Sequence, residues 1–243
     1  MGALRNHYSY WIKQHYDLVW RCCFIACCLP ALWLLGEWST GNLGINPLNR
    51  LLHFSGTTAL VQMLVTLSVT PSRWLAVRLS IVTHQAYGKR LSDWNWLIKL
   101  RRQLGLFAFF YALLHLVIYL ALDVTWDMRA VWDDIQDRLF ILLGFIAFVL
   151  LVPLALTANN VSIRWLGSNW RILHRLSYPI VICDVAHYCL QMKAGQTSAW
   201  PFALATAVLL AYRLAAWLSQ EKDSGIEVEE RGVEEREVEE RRG

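Results

Sequence analysis

The chain has 243 residues, of which 56% are apolar, and a net charge of +4 at neutral pH. Soluble domains are typically about 45–50% apolar. The composition therefore excludes an ordinary soluble protein and indicates a chain built around apolar segments long enough to cross a bilayer.

Six segments are long and apolar enough to cross a hydrocarbon core of about 30 Å as helices. The predicted spans are residues 18–38, 51–72, 103–122, 139–163, 171–192 and 194–212. The first is interpreted as retained, since no small-x-small cleavage site follows it and five further spans do. We therefore predict an all-α fold, an integral membrane six-helix bundle over residues 18–218.

The loops differ in charge. Lys and Arg are concentrated in the N-terminal arm, residues 1–17, and in the loops after the second and fourth spans, whereas residues 123–138 contain five aspartates. The positive-inside rule places the basic loops in the cytoplasm, and six spans then place both termini there. Residues 219–243 have almost nothing to bury and are expected to be a disordered, charged cytoplasmic tail.

Two histidines lie at matching depths in different spans. Counted from the basic side, His115 is thirteen residues into the third span and His187 is sixteen residues into the fifth, at ~20 and ~24 Å. Polar groups at this depth need partners. For one histidine, packing is the simpler explanation, but two facing imidazoles can hold a haem iron in an apolar slot of the bundle.

His174 lies near the basic end of the fifth span, ~140° around a straight helix from the face of His187. A kink at Pro179 would change that angle. Three roles stay open: a ligand of a second haem, a contact to a haem propionate together with Arg101 and Arg102, or a structural residue.

Several other polar residues each fit more than one role. His53, at the outer start of the second span, suits a propionate or quinone contact, or simply faces lipid headgroups. Asp184 suits either the orientation of His187 or an aqueous or quinone pocket. The basic loop could bind a flavin phosphate or an acidic reductase, although membrane topology alone places arginines there. The candidates are Arg73, Arg78, Arg101 and Arg102. No GxGxxG pattern is present, so a separate electron donor is required.

Several segments together resemble the MsrQ (YedZ) family of the ferric-reductase-like transmembrane superfamily. They are "HFSGTTALVQMLVTLSVTPSR" (53–73), "LIKLRRQLGLFAFFYALLHLVIYLALD" (97–123), "LLVPLALTANN" (150–160) and "LGSNWRILHRLSYPIVICDVAHY" (166–188). The resemblance implies one or two b-type haems held by His115, His187 and His174, an associated FMN, and a multi-pass location in the bacterial inner membrane.

The resemblance also implies partners. Electrons would come from a cytosolic flavin reductase or from quinol and pass to a periplasmic, molybdopterin-containing catalytic subunit (MsrP-like) that reduces methionine sulfoxide in oxidised proteins. This chain would then be an electron-transfer subunit without catalytic chemistry of its own. Thr57 stands where relatives often have Arg, and the loop 74–100 is longer than is usual in the family.

Three other functions fit the residues alone. The first is a stand-alone haem reductase of ferric iron or quinone at the outer face. The second is a proton-coupled transporter that uses the histidines and Asp184. The third is a membrane scaffold in which the histidines only pack.

Overall fold

The computed structural model describes residues 15–84, 88–192 and 199–219, and within these ranges the secondary structure is helical with no strand. The helices are α1 (Tyr16–Thr40), α2 (Pro47–Val82), α3 (Asn95–Ile118), α4 (Met128–Asp137), α5 (Leu139–Leu156), α6 (Asn160–Leu166), α7 (Ser168–Leu173), α8 (Ser177–Gln191) and α9 (Trp200–Ser219). Short 3-10 turns cover Leu91–Trp94 and His174–Leu176, and a π-helical turn, Tyr119–Asp123, extends α3.

Five helical stretches are long and apolar enough to cross a membrane: Tyr16–Thr40, Pro47–Val82, Leu91–Asp123, Leu139–Leu156 and Trp200–Ser219. Large apolar side chains are exposed along them, among them Ile25, Leu35 and Val149. In a bilayer such side chains contact lipid, while the helix satisfies its own backbone groups. The prediction of an all-α membrane protein is confirmed. The N-terminal arm up to residue 14 and the tail from residue 220 lie outside the described residues.

The predicted fifth span, 171–192, is not one continuous helix. It comprises α7, the 3-10 turn His174–Leu176 and the 15-residue α8, so the total of six spans stays a prediction. Pro179 is the third residue of α8. Backbone N–H groups in a first turn have no intrahelical acceptor, so proline costs little there. The interruption falls before Pro179, at residues 174–176.

Two other predicted boundaries differ from the structure. The helix expected over 139–163 ends at Leu156, and the side chain of Asn159 accepts a hydrogen bond from Ser162 N to begin α6. Such an N-cap satisfies a backbone donor that a new helix would leave unpaired. In the other direction, α2 continues to Val82, ten residues beyond the predicted span, so much of the expected loop 74–100 is helical.

Two helix pairs position the site. The most extensive packing is between α2 and α3 and between α5 and α8, and contacts of α3 with α5 and of α2 with α8 join the pairs. By internal contacts the chain divides after Thr206, and α1 to α8 all belong to the first unit. We call the end of the bundle with residues 41–46, 123–138 and 191–192 the acidic end. The opposite end, with Arg73, Arg101, Arg102 and residues 157–176, is the basic end.

Helix α1 is joined to α3 by a fully buried tyrosine. The Tyr111 hydroxyl donates to Cys27 O (2.6 Å) and accepts from Ala31 N (3.0 Å). Cys27 O and Ala31 N would be partners in a regular helix, so the hydroxyl is inserted into one helical hydrogen bond beside Pro30. All six cysteines are free thiols.

Candidate haem site

His115 of α3 and His187 of α8 face each other between the two helix pairs. Their ring centroids are 6.1 Å apart and their planes are inclined by 84°. Each helix pair contributes one imidazole, so the site forms only where the two helix pairs meet. The depth count in the sequence predicted this proximity, and the structure brings the two side chains together.

Each histidine is oriented by a carbonyl group of the neighbouring helix. His115 Nδ1 lies 2.9 Å from Leu52 O and 3.2 Å from Ser55 Oγ, while His187 Nδ1 lies 2.5 Å from Phe140 O. A carbonyl oxygen can only accept, so Nδ1 carries the proton in both rings. The Nε2 atom of each ring then keeps its lone pair, which is the form that binds a metal.

Two glycines make room for the imidazoles. A Cβ atom at Gly56 would lie 3.1 Å from the His115 ring, and one at Gly144 would lie 2.9 Å from His187 Nδ1. Each glycine follows the accepting carbonyl, that of Leu52 or Phe140, by four residues. The same construction therefore occurs twice, once between α2 and α3 and once between α5 and α8.

Both histidines line a cavity of about 800 Å³. Pockets for cofactors and other small molecules typically range from about 300 to 1,000 Å³. Part of its wall is apolar and closely packed: Leu60, Met63, Ala147, Leu151 and Ile180. The part at the acidic end is polar: Asn46, Asn49, Asp123, Arg138 and Gln191.

The residues fit a haem. An iron bound at about 2 Å by two imidazole nitrogens on opposite sides places the ring centroids about 6 Å apart, and the observed separation is 6.1 Å. The described residues contain no cluster of three or more His, Cys, Asp or Glu side chains that could hold a bare metal ion. A metal at His115 and His187 would thus take its other ligands from water or from a cofactor such as a porphyrin.

Three more polar residues line this cavity. The His53 ring lies 5.9 Å from that of Tyr188. Thr57 and Asp184 lie one helical turn further from the acidic end than His53 and Tyr188, and Thr57 Oγ1 is buried without a hydrogen-bond partner. His53 was a predicted site residue, and the structure places it at the same cavity as His115 and His187.

His174 lies elsewhere, at the basic end. Its ring lies against that of Trp170, with centroids 4.0 Å apart and planes inclined by 34°, and its Nε2 is 3.5 Å from Thr157 Oγ1. Arg101 is close enough to interact with it electrostatically. His174 is not among the residues that line the cavity.

The predicted arginines also lie at the basic end. Arg73 donates to Leu91 O (2.8 Å), Trp94 O (3.1 Å) and Asn95 Oδ1 (2.7 Å), which fixes the 3-10 turn against α2. Arg102 donates to Asn160 Oδ1 (3.0 Å), and Arg101 lies 3.5 Å from Thr70 Oγ1. Arg73 and Arg102 therefore have structural contacts of their own.

Sequence reasoning missed Ser55, Gly56, Gly144 and Arg138. A glycine inside an apolar span is the only signal of the imidazole sites, because glycine is unfavourable within a helix unless a close approach requires it. Nothing in the sequence indicates which histidine approaches which glycine.

Residues 55–184 match the family described as ferric reductase like transmembrane component, a class of membrane protein. The matched region includes His115 and ends three residues before His187. Several individual relatives match a larger share of the chain than this family match does. The protein-methionine-sulfoxide reductase heme-binding subunit MsrQ of Rhodospirillum rubrum is 39% identical over 194 residues, 79% of this chain and 85% of the relative.

The protein of the same description from Herminiimonas arsenicoxydans is 40% identical over 208 residues, 84% of this chain and 88% of the relative. The one from Azospira oryzae is 40% identical over 194 residues, 79% and 76% of the two chains. This chain therefore belongs to the MsrQ family within the ferric-reductase-like transmembrane proteins.

Proposed function

We propose that this chain is the haem-binding, electron-transferring membrane subunit of a protein-methionine-sulfoxide reductase. The observation that carries the proposal is the pair of Nδ1-anchored imidazoles of His115 and His187, 6.1 Å apart in a cavity of about 800 Å³. The relatives' description as heme-binding MsrQ subunits supports the same function. The chain is a multi-pass bacterial membrane protein, and we assign it to the inner membrane.

The bound haem, of b type, supplies a one-electron carrier at this site. His115 and His187 would hold the iron, and the carbonyls of Leu52 and Phe140 fix the orientation of the two rings. The packed apolar wall excludes water, which disfavours access of other ligands to the iron. With both imidazoles as ligands the iron would have no position left for a substrate, so the site would suit electron transfer rather than substrate binding.

The distribution of charged residues indicates how the protein is oriented in the membrane. We infer that the basic end faces the cytoplasm and the acidic end faces the periplasm, because Lys and Arg accumulate on the cytoplasmic side of membrane proteins. Electrons would come from a cytosolic flavin reductase, with FMN as an associated cofactor, or from quinol. They would leave at the acidic end for a periplasmic, molybdopterin-containing catalytic subunit that repairs oxidised methionines in proteins.

His174 is proposed as part of a second haem or flavin contact at the basic end. The aromatic ring of Trp170 beside it and its proximity to Arg101 support a site for an anionic, planar group there. The stand-alone reductase of ferric iron or quinone remains the alternative function, and it would need no catalytic partner at the acidic end.

Optical spectra of the purified protein, oxidised and dithionite-reduced, test the proposal. We expect sharp low-spin b-type bands in the wild type, loss of these bands in His115→Ala and His187→Ala, and retention in the control His84→Ala, whose residue is exposed beyond α2. A partial loss in His174→Ala would indicate a second haem.

Full haem content in both His115→Ala and His187→Ala would contradict the proposal. A colourless wild-type protein would contradict it too and would favour a proton-coupled transporter. Reoxidation of the reduced haem by a molybdenum-containing partner, but not by ferric iron or quinone, would separate the proposed subunit from a stand-alone reductase.

A further inference from the structure

The polarity of the cavity changes along its length. The residues near the acidic end carry amide, carboxylate and guanidinium groups, whereas Leu60, Met63, Leu151 and Ile180 form an apolar wall. A haem also has two chemically different edges, because one edge carries two propionate carboxylates and the rest is hydrocarbon. Burying a charge without a partner is costly, so the propionates favour the polar end of the cavity.

Arg138 is the only Lys or Arg among the described residues that line the cavity. Its Nε lies 3.3 Å from Asp134 Oδ1, and Asp134 Oδ2 accepts a hydrogen bond from the Tyr119 hydroxyl at 2.8 Å. Tyr119 lines the cavity as well. The Arg138 guanidinium is therefore held from its Nε side by a carboxylate that is itself anchored to α3.

The two Nη amino groups of Arg138 have no hydrogen-bond partner in the described part of the chain. A guanidinium can bind a carboxylate through two parallel N–H donors, which is a strong and directional arrangement. Asn49 and Gln191, also at this end of the cavity, have side-chain amides that can donate to the same kind of group.

We propose that Arg138 binds a haem propionate, so that the haem is held with both propionates at the acidic end of the cavity. This inference rests on the proposed haem site at His115 and His187. The reverse orientation would direct the propionates towards Asp184 and the buried Thr57 hydroxyl, where no cation lines the cavity. Asp123 is also at the favoured end, but its side chain is exposed and solvated, whereas Asp134 holds the Arg138 guanidinium beside the cavity.

The chain offers a matched control at the same end of the bundle. Arg50 is likewise paired with a carboxylate, since its Nη2 lies 3.1 Å from Glu37 Oε2, and its side chain is 45% exposed against 54% for Arg138. Arg50 does not line the cavity. Replacement of either arginine by glutamine removes one positive charge from the same region, but only one replacement touches the proposed contact.

The test compares haem with its dimethyl ester, in which both propionates are uncharged. The full chain in lipid nanodiscs is loaded with either porphyrin, and the rate of transfer to excess apomyoglobin is measured for wild type, Arg138→Gln, Arg138→Lys and Arg50→Gln. We expect the wild type and Arg50→Gln to release the ester about tenfold faster than haem. Arg138→Gln should release both at similar, fast rates, and Arg138→Lys should retain part of the discrimination.

Equal release of haem and ester by the wild type would overturn the proposal, as would full discrimination in Arg138→Gln. A low-spin spectrum in Arg138→Gln shows that the variant has folded and kept its histidine ligands. If that variant does not accumulate, the wild type and Arg138→Lys decide the question. Failure of the proposed function is distinct, since the wild type would then bind neither porphyrin with a low-spin spectrum.

Discussion

At the residue scale, the site depends on the glycine beside each imidazole as much as on the imidazole itself. Gly56 and Gly144 let the rings of His115 and His187 lie directly against a helix backbone, where Nδ1 reaches a carbonyl oxygen. The carbonyl selects the tautomer, and the glycine permits the approach. A ring that lost its neighbouring glycine would have to rotate or shift, and its placement relative to the other histidine ring would change.

We predict that Gly144→Ala disrupts the site. The new methyl group would lie 2.9 Å from His187 Nδ1, too close for a real Cβ contact, so the ring is displaced from Phe140 O. The expected result is loss of most low-spin haem absorbance, with a smaller loss in Gly56→Ala, where the nearest ring atoms are at 3.1 Å.

Gly105→Ala is the control for this substitution. Gly105 also lies within a helix of the bundle, but the nearest atom to its added Cβ is Thr66 Cγ2 at 3.8 Å, an ordinary contact. Alanine in a helix interior stabilises by up to about 1 kcal/mol relative to glycine. Gly105→Ala should therefore keep its haem and unfold at the same or a higher temperature. Equal haem content in Gly105→Ala and Gly144→Ala would show that the close contact is unimportant.

At the element scale, the hydroxyl of Tyr111 links two membrane helices. The hydroxyl bridges Ala31 N and Cys27 O, which would bond to each other in a regular helix, so a side chain of α3 supplies the polar partner for that turn of α1. Pro30 already removes one backbone donor from the same turn. The fold thus places a proline-weakened turn where a neighbouring helix supplies the missing polar partner, which is how proline is generally tolerated in a membrane helix.

Tyr111→Phe should destabilise the protein without affecting the haem. The substitution leaves a buried N–H and a buried C=O to re-form their own bond or remain unpaired, with a cost of about 1–3 kcal/mol in the unpaired case. The measurement is the thermal unfolding temperature in detergent, with the reduced haem spectrum as a check on the site.

Tyr16→Phe serves as the comparison for that measurement. The Tyr16 ring lies under the Lys99 ammonium at 4.8 Å, a contact that phenylalanine retains. The unfolding temperature of Tyr16→Phe should match that of the wild type. If Tyr111→Phe unfolds at the same temperature as Tyr16→Phe, the inserted hydroxyl contributes nothing to the packing of α1 on α3.

At the scale of the whole molecule, the acidic and basic ends define an orientation in the membrane. Residues 123–138, which run from the end of the π turn through α4, carry five aspartates and two arginines at one end. The arginine-rich segments lie at the other end. A periplasmic reporter enzyme inserted between Asp133 and Asp134 should be active, and the same enzyme inserted at His84 should be inactive. The opposite pattern would reverse the proposed direction of electron transfer.

The features of the fold and the site that could be predicted from the sequence are those that depend on one helix at a time. The helical fold and the common depth of His115 and His187 follow from apolar length and from a fixed rise per residue. The break at His174–Leu176, the early end of α5 at Leu156 and the position of Arg138 at the cavity do not. They depend on local capping and on which helices become neighbours, and hydrophobic periodicity does not specify either one.

The duplicated arrangement of glycine, carbonyl and histidine has a consequence for assembly. If each helix pair provides one haem ligand, as proposed, a haem bound to both histidines would act as a non-covalent cross-link between the two pairs, and its binding free energy would add to the stability of the joined state. The empty protein would then be the more loosely associated form. Cofactor supply would thereby regulate how long a newly inserted chain survives membrane proteolysis.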